Sequence, residues 1–141
     1  MNVVDSNIWC YYFDKTLPEH KYVTDFIEKI IYEQKVAITN IILLEVLHFL
    51  FKRLGAEKGY DKANIFQRGN FQILEFTSND FNKQIELMKE HAHKGLGSRD
   101  ISIVVCMEKA GCKNLITHDK SFQNIGTINV IDPIADPEID S

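Results

Sequence analysis

Four acidic side chains stand at positions from which a fold can bring them together: Asp5 in "MNVVDSNIWC", Glu45 in "NIILLEVLHFLF", Asp100 in "SRDISIVVCM" and Asp119 in "NLITHDKSFQN". Taken singly, three of them have an ordinary structural use. An aspartate between a strand and a helix caps free amides, which serves for Asp5 and Asp119, and a carboxylate in a first helical turn is favoured by the helix dipole, which serves for Asp100. Glu45 is different, because its sequence neighbours are apolar and Ile41, Ile42 and Phe49 lie a turn away on its own helical face. Burying an ionised carboxylate without a partner is costly, so Glu45 needs an ion-pair partner, a proton or a function. Taken together, the four repel one another unless a cation lies between them. Hard oxygen ligands suit Mg²⁺ or Mn²⁺, and such an ion promotes phosphoryl transfer by acidifying a water and stabilising charge on phosphate oxygens. No nucleophilic side chain is then required.

The elements that must hold these acids alternate between short apolar strands and helices. Asn2 to Val4 reads as a buried strand and Ser6 to Phe13 as a helix. Residues 17–34 have Pro18 near a helix start and Tyr22, Phe26 and Ile30 at intervals of four, predicting a second amphipathic helix. "KVAIT" follows as a strand. "NIILLEVLHFLFKRLG" predicts a helix with Asn40 as N-cap and Gly55 as stop, "DKANIFQRG" another short helix and "FQILEF" a strand. A helix lies between Ser78 and Gly95, and "SRDISIVVCMEKAG" is a helix closed by Gly111. "NLITH" is a strand, "DKSFQN" a helical turn and "TINVID" the last strand. This order is the α/β form of a parallel sheet with helices on both faces. In such sheets ligands collect beyond the carboxyl ends of the strands, the edge to which Asp5 and Asp119 are delivered.

With 141 residues, 45% of them hydrophobic and 26% charged, the chain has the composition of one globular domain. We assign residues 1–132 to it and 133–141 to an acidic C-terminal tail, where Pro133 and Pro137 oppose regular structure. Apolar runs stay well below the roughly 18 residues of a membrane span, and no signal peptide precedes Asp5, so a cytoplasmic protein without membrane contact is expected. Twenty acidic against sixteen basic residues argue against holding nucleic acid by net charge alone, though not against a local basic groove. Cys10, Cys106 and Cys112 form an odd set without a CxxC pair, which favours free thiols over disulfides or a zinc site.

The segments "VVDSNIW", "ITNIILLEVL", "SRDISIVVCMEKAGCKNLITHDKSF" and "INVIDP" resemble, in order and rough spacing, the PIN-domain ribonucleases, most closely the VapC toxins of toxin–antitoxin pairs. The resemblance covers nearly the whole chain. It implies a three-layer αβα sandwich with a central parallel sheet, an endoribonuclease dependent on Mg²⁺ or Mn²⁺, a homodimer, and a VapB-type antitoxin that blocks the site. By the same resemblance Asp5, Glu45, Asp100 and Asp119 match the catalytic acidic quartet, with Asp5, Asp100 and Asp119 as metal ligands. Ser6 and Thr117 match small hydroxyl residues that orient the carboxylates by hydrogen bonds, with Asn7 a weaker candidate. Phe122 matches an aromatic that packs the Asp119 loop. The chain departs from the pattern in having Ile101 after Asp100 where a small residue is usual. Its "SRD" also sets Arg99 beside the site, either to touch a scissile phosphate or as a solvated side chain. His118 alternates away from Thr117 and Asp119. Lys15, Lys52, Arg53, Lys58, Lys62, Lys94 and Lys120 offer a basic rim for RNA or merely a solvated surface.

Other readings compete. A stand-alone PIN nuclease in RNA processing keeps the chemistry without the antitoxin. Glu45 to His48 and Glu90 to His93 both spell E-x-x-H, the spacing of di-iron carboxylate four-helix bundles. That reading requires four long helices in one core, which the strands between the helices oppose. A receiver-like phosphoacceptor domain lacks its lysine in "TINVIDP", and a module that kept the fold but lost activity is disfavoured by the presence of all four acids.

Overall fold

The computed structural model describes residues 1–134. Most of the tail assigned to 133–141 therefore lies outside the described residues. Among the described residues, five strands form one sheet: β1 (Asn2–Val4), β2 (Val36–Thr39), β3 (Gln72–Leu74), β4 (Asn114–Ile116) and β5 (Asn129–Ile131). Their order is β3-β2-β1-β4-β5 and every pairing is parallel. All four residues of β2 are buried, as are Val3 and Val4 of β1. Alternate residues of a strand face opposite sides, so burial of consecutive ones means that both faces of the sheet are covered. The molecule is a three-layer αβα sandwich.

The covering helices are α1 (Ser6–Phe13), α2 (His20–Tyr32), α3 (Asn40–Gln67), α4 (Phe81–His91) and α5 (Ser98–Ala110). α1 packs on α2 and α3, and α4 on α5. In α2 the buried line is Val23, Ile27 and Ile30, with Tyr22 and Phe26 only partly covered. A strict four-residue interval drifts around a helix of 3.6 residues per turn, so the line read through Tyr22, Phe26 and Ile30 runs off the core face. In α5 every residue from Ile101 to Met107 is buried, Ser102 included. Trp9 of α1 is fully buried, donates its indole N–H to the Val4 carbonyl at 3.1 Å, and meets the edge of Phe66 at 4.9 Å between ring centroids.

Two boundaries differ from the sequence expectation. The N-cap of α3 is Thr39, whose hydroxyl accepts from the Ile42 N–H at 3.0 Å. Asn40 instead exchanges two hydrogen bonds with the backbone of Phe76, accepting at 2.9 Å and donating at 3.2 Å. It thereby ties the start of α3 to the end of β3. Gly55 does interrupt the helix, with φ 83° and ψ −179°, but a second helical segment begins directly after it. That segment folds back closely enough that a Cβ on Gly59 would stand 2.9 Å from the Cα of Phe51. The sheet itself removes the four-helix-bundle reading, because the E-x-x-H residues lie on helices of an αβα sandwich.

Candidate metal centre

The strand order reverses at β1, with β2 on one side and β4 on the other. The crevice outside the carboxyl ends of β1 and β4 is the ligand position characteristic of such sheets. Asp5 follows β1 directly, and its N–H extends the pairing by donating to the Ile116 carbonyl at 2.9 Å. The residue is only 1% exposed. Its Oδ1 accepts from the Ser6 N–H at 2.8 Å, capping α1, and its Oδ2 accepts from the Thr117 hydroxyl at 2.8 Å. The Thr117 oxygen accepts in turn from the Asp119 N–H at 3.1 Å and from the Asn7 amide at 3.3 Å. Thr117 is thus the buried joint between the two strand-end acids. Asp119 caps the turn Lys120–Asn124 by accepting from the Ser121 N–H at 2.9 Å, over a fully buried Phe122.

Arg99 occupies the middle of the remaining acids. Its Nη2 donates to Asp5 Oδ1 at 2.5 Å and to Ser6 Oγ at 2.8 Å, its Nη1 to Asp100 Oδ1 at 2.5 Å, and its Nε to Glu45 Oε1. Asp100 Oδ2 also accepts from the Gly97 N–H at 3.1 Å. Burial works against the charge of Arg99, but Asp5 and Glu45 outweigh it and push the guanidinium pKa above its ordinary value. Three carboxylates from α3, α5 and the β1–α1 junction therefore converge on one cation.

The site residues read from the sequence do not all behave as expected. Glu45 is not buried among apolar side chains; its side chain is 38% exposed. The buried line of the first α3 segment runs through Ile42, Val46 and Leu50, whereas Leu44 is 67% exposed, and Glu45 lies between these faces. The ion-pair partner that its position called for is Arg99. The Ser6 hydroxyl faces Arg99 rather than a carboxylate. Arg99, which the sequence offers as a phosphate contact or a solvated side chain, bridges three acids, a meeting that no one-dimensional spacing reveals. His118 turns away to Asp132, Nδ1 to Oδ2 2.8 Å. Of the basic rim, Arg53 is paired with Asp14 at 2.6 Å, and Lys94 donates to the Asn124 carbonyl at 3.3 Å.

The donor set consists of hard oxygens and fits Mg²⁺ or Mn²⁺ in kind. Among the described residues, however, no three His, Cys, Asp or Glu side chains are set around a common ion. Asp5, Glu45 and Asp100 each meet a different nitrogen of the planar Arg99 guanidinium. The cysteines are free, and burial, with Glu45 and Asp5 adding to it, pushes the Cys10 thiol up to about 11. Cys10 is therefore protonated near neutrality.

The PIN-domain family model matches residues 3–128. The chain belongs to the PIN-domain family. Ribonuclease VapC1 of Aquifex aeolicus is 27% identical to this PIN domain over 121 residues, covering 84% of this chain and 81% of the relative. Among solved structures, the PIN domain superposes on Mycobacterium tuberculosis VapC20, a sarcin-ricin loop cleaving toxin, with a TM-score of 0.71 at 20% identity, covering 89% and 95% of the two chains. VapBC2 from Rickettsia felis, bound to a DNA fragment from its promoter, gives a TM-score of 0.72 at 22% identity, covering 93% and 97%. At these identities the structural likenesses establish the shared fold.

Proposed function

We propose that this PIN domain is an endoribonuclease dependent on Mg²⁺ or Mn²⁺, the toxin of a VapBC-type pair, with residues 1–132 as one nuclease domain. The observation that carries the reading is the gathering of Asp5, Glu45 and Asp100 around one positive charge at the switch point of the sheet, with Asp119 tied to the same corner through Thr117. The relationship to Ribonuclease VapC1 supports RNA as the substrate. In this reading Asp5, Asp100 and Asp119 would hold the ion, and Glu45 would complete the charge cluster. When bound, the ion supplies acidity to an attacking water and positive charge to the phosphate oxygens. Thr117 fixes the direction of Asp5, and the Gly97 and Ser121 amides fix Asp100 and Asp119. Glu45, the most open of the three acids around Arg99, would be the group placed to accept a proton from an attacking water. Cleavage leaves 3′-hydroxyl and 5′-phosphate ends.

A VapB-type antitoxin and a homodimer belong to the same proposal. The Rickettsia felis relative is a VapBC2 assembly, and exposed Leu44, Phe51, Tyr60 and Ile65 along α3 provide apolar surface for a protein contact. The proposed compartment is the cytoplasm; among the described residues no helix is long and apolar enough to cross a membrane. The test is cleavage of total cellular RNA with and without Mg²⁺ or Mn²⁺, with the ends mapped, beside Asp100→Asn. Ion-dependent cleavage lost in Asp100→Asn is expected. Cleavage of equal rate in the variant, or without an ion, refutes the assignment. A copurifying partner encoded beside the gene tests the antitoxin.

A further inference from the structure

We propose that Arg99 is an intramolecular counter-cation that fills the acid cluster when no divalent ion is bound and leaves when one enters, so that ion affinity is set by an exchange between them. The inference rests on the metal-dependent reading above and adds a device specific to the residues of this chain.

The geometry supports it from several sides. Each of the three guanidinium nitrogens is given one carboxylate, and Nη2 takes the Ser6 hydroxyl as well. These carboxylates include two of the three proposed ligands, Asp5 and Asp100. An ion on the same oxygens would sit within a few ångströms of the guanidinium, and two cations so close repel strongly in a partly buried site. They exclude one another. Arg99 pairs with Asp5, Glu45 and Asp100, whereas Asp119 Oδ1 accepts from the Ser121 amide, so Asp119 offers an incoming ion a carboxylate outside the guanidinium's grip. An arginine guanidinium keeps its charge at any physiological pH, so Arg99 leaves by moving and not by losing a proton.

A way out exists. The Arg99 side chain is 31% exposed, so withdrawal does not require the core to open. It also borders an open hollow of about 260 Å³ lined by Ile41, Phe76, Phe81, Gln84 and Ser102, which has room for its aliphatic stem. The arrangement accounts for a site rich in carboxylates in which no three are set around one point: the acids are spaced for a planar fork. An exchange of this kind lowers apparent ion affinity by the fraction of molecules in which the arginine is already out.

The full-length protein is titrated with Mn²⁺ by calorimetry as wild type, Arg99→Gln and Arg99→Lys, and the wild-type Arg99 Nε–Hε resonance is followed by NMR during Mg²⁺ addition. Arg99→Gln is expected to bind Mn²⁺ about tenfold more tightly or better, with Arg99→Lys in between. It should also melt lower without the ion and gain more on saturation. The Nε–Hε signal is expected to shift and lose protection as Mg²⁺ saturates, a readout that needs no variant to fold. Equal Mn²⁺ affinity in wild type and folded Arg99→Gln, or an unmoved Nε–Hε signal at Mg²⁺ saturation, overturns the exchange and leaves the metal reading standing. No ion binding by either protein overturns the metal reading and this inference with it.

Discussion

Thr117 has no exposed surface, yet its hydroxyl touches Asp5, the Asp119 amide and Asn7. Removing it leaves a buried carboxylate one donor short. Thr117→Val is therefore expected to cost about 1–3 kcal/mol in urea unfolding and roughly 10–100-fold in ion affinity or cleavage rate, while Thr117→Ser restores most of both. Equal behaviour of Val and Ser variants would mean that the hydroxyl positions nothing. Asp100→Asn keeps shape and removes charge, so its circular dichroism should match the wild type while cleavage is lost. At this scale the sequence is informative about the acids and nearly silent about Arg99. A strand followed by an aspartate and a helix is a local pattern, and Asp5 and Asp119 fit it. The meeting of Arg99 with Glu45 joins residues 54 positions apart, and only the packing of α3 near α5 creates it.

The elements were legible wherever the hydrophobic period was regular. β1, α1, β2 and α5 appear within a residue or two of their expected bounds, because apolar runs of strand length flanked by cap residues admit few alternatives. The start of α3 was misread because Thr39 and Asn40 are both good caps, and the deciding contact, with Phe76, lies far along the chain. Gly55 shows the opposite limit: its conformation stops one helical segment, but the sequence does not say that the next resumes at once. Its φ of 83° with extended ψ belongs to a region nearly closed to residues with a Cβ. Gly55→Ala is expected to destabilise the fold by about 1–3 kcal/mol although nothing lies within 4 Å of the added carbon. A neutral effect on the urea midpoint would show that the kink relaxes without cost.

For the molecule as a whole, two ion pairs outside the site bind distant parts of the chain. Asp14 is held below the usual carboxylate range by hydrogen bonds from Thr16 and the Arg53 guanidinium, and Asp80 by Lys109 and the Thr77 amide. A carboxylate whose folded pKa is depressed adds stability above its unfolded value of about 3.9 and loses it as pH falls through the folded value. The urea midpoint of wild type should therefore exceed that of Asp14→Asn and Asp80→Asn at pH 7, and the gap should close as pH drops below about 4. A gap independent of pH would assign the loss to packing. The topology has a practical corollary of another kind. The single tryptophan, Trp9, is sealed against Phe66 and Phe71 at 4.9 and 5.3 Å between centroids. Both rings belong to chain beyond the Gly55 kink. Its fluorescence is thus a built-in optical gauge of whether that distal half of α3 is docked on the first helix, readable without any label.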